Sequence, residues 1–124
     1  MDIFCKIVKK EIPSNIVYED EIVMVVMDVN PRGNGHLLII PKEHFTDLID
    51  IDSNVLNHIM IIAKKMMNLL IEKLNCDGFT LENNIGISQE IKHFHLHIIP
   101  TYKKINKTIN INDIYNKLKE VYYG

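Results

Sequence analysis

The segment KHFHLHIIP, residues 92–100, sets the strictest limit on how this chain can fold. His93, His95 and His97 occupy alternate positions, with Phe94, Leu96 and Ile98 between and after them. Side chains two apart on a strand share one face and lie about 6.6 Å from one another, while those between take the other face. A strand here sends Phe94, Leu96 and Ile98 into a core and lines three imidazoles along the opposite surface. A lone histidine such as His58 reads as an ordinary core or surface residue. Three in register on an otherwise apolar strand bring no structural gain, so the row points to chemistry.

Two chemistries suit such a row. Three neutral imidazoles can hold Zn²⁺ with a position left open for water. Alternatively, one imidazole attacks a phosphate, provided a hydrogen bond on its other nitrogen fixes the tautomer. Its neighbours then donate to the phosphate oxygens, where charge must be held during transfer. The residues alone leave both open.

The rest of the chain reads as short strands and a few helices. NIVY (residues 15–18), IVMVVMD (22–28) and HLLIIP (36–41) are apolar and rich in β-branched residues, and the polar Glu19-Asp20-Glu21 suits a tight connection between the first two. NPRGNG marks a loop before the third; it lacks the third glycine and the Lys-Ser/Thr ending of a phosphate loop and precedes a strand. A helix is predicted over Asn54 to Leu74, capped by Asp52 or Ser53, with Val55, Ile59, Ile62, Met66, Leu69 and Leu70 as its apolar stripe. NCDG ends it. GFTLENN (78–84) and IKHFHLHII (91–99) read as two further strands, and NINDIYNKLKEVYY as a C-terminal helix capped by Asn112 or Asp113, with Ile114, Leu118 and Val121 on one side. About five strands and two or three helices make an α+β chain.

A length of 124 residues suits one domain. The formal charge of −2 gives no general attraction for polyanions, so nucleic acid is not an expected partner. The apolar stretch around residues 55–74 is interrupted by Asn57, His58, Lys64 and Lys65 short of a membrane span, and MDIFCKIVKK lacks a secretory signal's pattern. The expectation is a soluble, cytoplasmic protein with no membrane partner, whose Cys5 and Cys76 stay reduced.

HFHLHII resembles the His-x-His-x-His-x-x motif of the histidine triad (HIT) nucleotide-binding family. IFCKIVKKEIPSNIVYEDE, MDVNPRGNGHLLIIPKEH and ENNIGISQEIKHFHLHIIP resemble, in order, the opening, centre and active-site end of its Hint-like branch. The resemblance implies a HIT-like fold over residues 1–124, with a five-stranded antiparallel sheet, one long helix and a short C-terminal helix. It also implies a homodimer acting on purine nucleotides of the AMP or GMP type. His95 would attack the α-phosphate of a nucleoside phosphoramidate or related conjugate and form a nucleotidyl-histidine, from which water releases the monophosphate. His97 would hold phosphate oxygens and assist the leaving group, while His93 and His36 orient His95. Asp28 matches the acidic residue that takes the ribose hydroxyls. Phe4, Ile7, Ile12, Val26, Met27 and Val29 match positions in or bordering the base slot, and Asn83 and Gln89 match polar residues near the phosphates.

The loop before the triad is one residue shorter than the family's usual form, and Glu90 stands where some relatives carry a phosphate-donating serine. Some bacterial members hold a structural zinc through two N-terminal cysteines, a histidine after Pro-Lys and the first triad histidine. Here the resemblance offers Asp2, Cys5, His44 and His93, with Asp2 in place of the first cysteine. The resemblance implies that the reaction itself requires no cofactor. Dinucleoside polyphosphate hydrolysis is the alternative enzymatic reading, and a nucleotide- or metal-binding regulatory module the non-enzymatic one.

Overall fold

The computed structural model describes residues 2–104 and 108–119. Five strands form one antiparallel sheet in the order β1-β2-β3-β5-β4, from β1 (Ile16–Glu19), β2 (Val23–Met27), β3 (Leu37–Pro41), β4 (Gly78–Glu82) and β5 (Leu96–Thr101). The β1–β2 turn is closed by Asp20, whose Oδ1 accepts from the backbone of Ile22 and Val23 at 2.7 and 2.8 Å. Its Oδ2 accepts from Tyr18 at 2.6 Å and lies 2.7 Å from His58 Nε2, so His58 serves as a structural tie. Burial opposes ionisation of Asp20, but these hydrogen bonds outweigh it and hold the carboxyl at about 2.

Among the described residues three α-helices accompany the sheet, α1 (Ile3–Val8), α2 (Ser53–Leu74) and α3 (Ile111–Lys119), with a short 3-10 turn at Gly86–Ser88. Asp52 caps α2, its Oδ1 accepting from the backbone of Asn54 and Val55 at 2.8 and 3.2 Å. Asn75 ends it in the left-handed conformation at φ 54°. The buried stripe is Ile59, Ile62, Ala63, Met66, Leu69 and Leu70, which differs from the expected one chiefly in that Val55 is only partly covered. The cap of α3 lies two residues earlier than expected, since Asn110 Oδ1 accepts from Asn112 N at 2.8 Å. Val121 lies outside the described residues. Among these residues no helix is long and apolar enough to cross a membrane.

Strand alternation divides the sheet's side chains. Val23, Val25, Met27, Leu37, Ile39, Leu96 and Ile98 pack with α2 and α3 in the main core, together with Phe94. Met24, Val26, Leu38 and Ile40 face the other way and pack with Phe4 of α1. His97, paired with Leu38, stands on this second face. The last strand is shorter than its pattern suggests, because β5 begins only at Leu96. Continuing the β3–β5 register would set Phe94 opposite Pro41, which has no N–H to give. The Phe94 N–H goes instead to the carbonyl of Phe45 at 2.7 Å.

Candidate active site and an adjoining metal-ligand cluster

His93, His95 and His97 lie in sequence along one side of the chain, but their rings have different partners. His95 Nδ1 lies 2.8 Å from the carbonyl oxygen of His93. A carbonyl only accepts, so Nδ1 carries the proton and Nε2 keeps a free lone pair. Asn83 Nδ2 donates to the carbonyl of His95 itself at 2.9 Å, and the ring of Phe4 packs on the imidazole with centroids 4.8 Å apart. Burial lowers the pKa of His95 and favours its neutral form, partly opposed by the hydrogen bond to the His93 carbonyl, which favours the protonated one.

His36, buried at the entrance to β3, touches His97 rather than His95. The backbone N–H of Arg32 donates to His36 Nδ1 at 3.0 Å, so the proton of this ring sits on Nε2. That Nε2–H lies 2.9 Å from His97 Nδ1 and 3.4 Å from Asp28 Oδ2. His97 therefore accepts at Nδ1 and presents Nε2–H outward. Burial, then the neighbouring His95, His36 and Arg32, push the pKa of His97 down to about 4. Burial also lowers that of His36, against the pull of Asp28. The outcome is a bare Nε2 on His95 beside an N–H donor on His97, with ring centroids 5.0 Å apart.

Of the two residues expected to orient His95, His93 does hold its ring by a hydrogen bond, whereas His36 bonds His97 instead. His93 acts through its backbone carbonyl, and His36 acts on His97. The His93 ring turns away, its Nε2 donating to the carbonyl of Pro41 at 2.9 Å. Asp28 Oδ1 accepts from Asn30 N at 2.8 Å, and Oδ2 is 3.9 Å from His97 Nδ1. Phe4, Val26 and, partly buried, Ile7 form an apolar cluster on the histidine face. Met27 is not in it, because strand alternation sends its side chain into the opposite core. Val29 is 79 % exposed and Ile12 half-buried, neither belonging to that cluster. Gln89 is buried and donates to the carbonyl of Thr46 at 2.6 Å. The carboxamide oxygens of Asn83 and Gln89 are buried with no hydrogen-bond partner among the described residues.

The other ring nitrogen of His93, Nδ1, belongs to a second cluster. Cys5 Sγ lies 3.4 Å from His93 Nδ1, 3.5 Å from His44 Nδ1 and 3.5 Å from Asp2 Oδ2. His44 Nδ1 lies 3.1 Å from Asp2 Oδ2, and His93 Nδ1 lies 3.3 Å from Asp2 Oδ1. Tetrahedral zinc with sulfur at about 2.3 Å and nitrogen or oxygen at about 2.0 Å separates its ligand atoms by roughly 3.3–3.6 Å. The fit is close. Pro41 holds the proton of His93 on Nε2, so the lone pair of Nδ1 faces a carboxylate, an arrangement that a cation relieves. Asp2 also caps α1 by accepting from Cys5 N at 2.8 Å. Burial opposes its ionisation, but that hydrogen bond and the nearby imidazoles of His93 and His44 outweigh it and lower the carboxyl's pKa.

Sequence reasoning missed Arg32 and Glu82. Arg32 Nη1 and Nη2 reach Glu82 Oε1 and Oε2 at 3.0 and 2.7 Å across fifty residues of sequence, and no local spacing signals such a pair.

A five-stranded antiparallel sheet with the segment His93 to His97 leading into β5, and His95 left bare at Nε2, defines an α+β protein with a histidine-lined site. Residues 9–104 match the HIT domain family, and the chain belongs to that family. It is 39 % identical over 118 residues to an uncharacterized HIT-like protein of Methanocaldococcus jannaschii, covering 94 % of this chain and 91 % of the relative. It is 42 % identical over 100 residues to the adenosine 5′-monophosphoramidase of Saccharomyces cerevisiae, covering 79 % of this chain and 61 % of that one. A zinc-bound histidine triad family protein from Mycobacterium smegmatis superposes with a TM-score of 0.87 at 27 % identity, covering 95 % of this chain and 90 % of the other.

Proposed function

We propose that this protein is a nucleotide hydrolase that cleaves purine nucleoside phosphoramidates, or related nucleotidyl conjugates, through a nucleotidyl-His95 intermediate. One observation carries the reading: the 2.8 Å hydrogen bond from His95 Nδ1 to the His93 carbonyl, which leaves Nε2 as a free nucleophile. Likeness to a yeast adenosine 5′-monophosphoramidase supports the substrate class.

His95 Nε2 attacks the α-phosphorus, and the bond from phosphorus to the leaving amine breaks. The proton on His97 Nε2 passes to the departing nitrogen, and the N–H that His36 donates, together with the positive charge that His95 gains on attack, stabilises the negative charge left on the His97 ring. Water then attacks the phosphorus and gives its proton to His97, the bond to His95 breaks, and a nucleoside monophosphate leaves. Asp28 accepts the ribose hydroxyls, and the base lies against the apolar surface of Phe4, Ile7 and Val26. Asn83 braces the backbone of His95 rather than meeting the phosphate.

Asp2, Cys5, His44 and His93 would hold a zinc ion. Bound there, it supplies a structural cross-link between α1 and the triad segment and no step of the reaction. The homodimer reading is supported by exposed Met60, Ile61 and Ile71 on α2 and Leu81 on the edge strand β4. The free thiols Cys5 and Cys76 support a reducing, cytoplasmic setting.

The test is AMP release from adenosine 5′-phosphoramidate without added metal, with His95→Ala alongside. Release by the wild type, none by the variant and retained nucleotide binding by both support the covalent mechanism. Turnover that survives in His95→Ala overturns it.

A further inference from the structure

Arg32 and Glu82 lie outside the residues that would meet a nucleotide, yet they frame the relay that ends at His97. Glu82 is the cross-strand partner of His97, so the two side chains share one face of the sheet. Arg32 reaches that carboxylate from the loop before β3 with a two-pronged ion pair at 3.0 and 2.7 Å. The main-chain N–H of the same residue donates to His36 Nδ1. Asn84 Nδ2 adds a 3.3 Å contact to Glu82 Oε2.

We infer that the Arg32–Glu82 pair is a positioning clamp that sets the tautomer of His36 and, through it, the outward N–H of His97. The clamp rests on the nucleotidyl-transfer reading above for its effect on rate, though not for its effect on the rings. The chemistry runs in three links. Held in place, the Arg32 N–H donates to His36 Nδ1 and obliges the proton to sit on Nε2. That proton points at His97 Nδ1, 2.9 Å away, and obliges His97 to carry its own proton on Nε2. Release the loop, and His36 is free to take its proton on Nδ1, where it no longer donates to His97. His97 then becomes free to protonate Nδ1, which leaves its outward nitrogen bare and unable to supply a leaving amine with a proton.

The loop is also tied after Arg32, where His36 N donates to the carbonyl of Gly33 at 3.2 Å, Tyr102 Oη to the carbonyl of Asn34 at 2.7 Å and Ile109 N to Asn34 Oδ1 at 3.1 Å, whereas the ion pair is the side-chain tie at Arg32 itself.

The experiment compares wild type with Arg32→Ala, Arg32→Lys, Glu82→Ala and the charge-swapped double variant Arg32→Glu with Glu82→Arg. Imidazole ¹⁵N shifts of His36 and His97 near neutral pH report the tautomers directly, and kcat and KM for AMP release report the consequence. In wild type both rings should show protonated Nε2. In the alanine variants the His36 signals should move toward a tautomer mixture, with kcat down about tenfold and KM little changed, since neither side chain touches the nucleotide. Arg32→Lys should fall between, and the charge swap should restore most of both signals. Unchanged ¹⁵N shifts in the alanine variants would reduce the pair to a surface ion pair and overturn the inference. A charge swap as impaired as the single variants would overturn it too, since Arg32 would then act by something other than pairing. If the wild type releases no AMP while the shifts move as expected, the clamp stands and the proposed reaction fails.

Discussion

Gly35→Ala tests whether the backbone entering β3 is packed as tightly as its geometry implies. Gly35 adopts φ +91°, and a Cβ built there would sit 2.5 Å from Leu74 Cδ1, 3.0 Å from Leu70 Cδ2 and 3.5 Å from Pro100 Cγ. The left-handed backbone costs an L-residue about 1–2 kcal/mol. Forcing a methyl into a filled core adds about 1–3 kcal/mol. Leu74 is half-buried and can yield toward solvent, whereas Leu70 is fully buried and cannot, so the packing cost should stay near the middle of that range. Together these predict a loss of about 2–4 kcal/mol, or a urea midpoint lowered by about 1–2 M. Gly86→Ala is the control, because its φ is +72° with nothing within 4 Å of the new Cβ, which leaves only the backbone cost. Urea unfolding of both variants decides the matter. If Gly35→Ala is no more destabilising than Gly86→Ala, the close approach of α2 and Pro100 to this backbone is wrong.

Three further outcomes are expected. The folded state holds His97 at about 4, below its unfolded value, so its contribution is fully present above about pH 6.5 and is lost as pH falls toward 4. Wild type should therefore lose up to about 3 kcal/mol over that window relative to His97→Gln, and parallel curves in pH-dependent urea titrations would refute the shift. Zinc added to metal-stripped protein at about a hundred times its Kd should raise stability by about 2.7 kcal/mol, and His44→Ala should abolish the gain in thermal melts. Asp2→Cys should tighten zinc in competition with a chromogenic chelator, since thiolate is the softer ligand. A weaker site would argue that the Asp2 contacts serve only the cap of α1.

Much of this protein was legible in its sequence because backbone geometry imposes local periods. The alternation of residues 93–98 sent Phe94, Leu96 and Ile98 into the core, and the apolar spacing from Ile59 to Leu70 marked α2 down to its Asp52 cap. The same alternation could have separated Val26 from Met27, since neighbours on a strand cannot share a face. What the period could not state is where a strand stops for lack of a partner. Pro41, 52 residues before His93, withholds the N–H that would have extended β5 back to it. Nor could it state which ring meets which. That His36 bonds His97, that His93 serves His95 through its carbonyl while its ring faces Cys5, and that Arg32 finds Glu82 all depend on register and loop closure. Local pattern decides which face a side chain takes; only the assembled sheet decides what stands next to it, because hydrogen-bond partners are chosen at distances of about 3 Å that no sequence interval encodes.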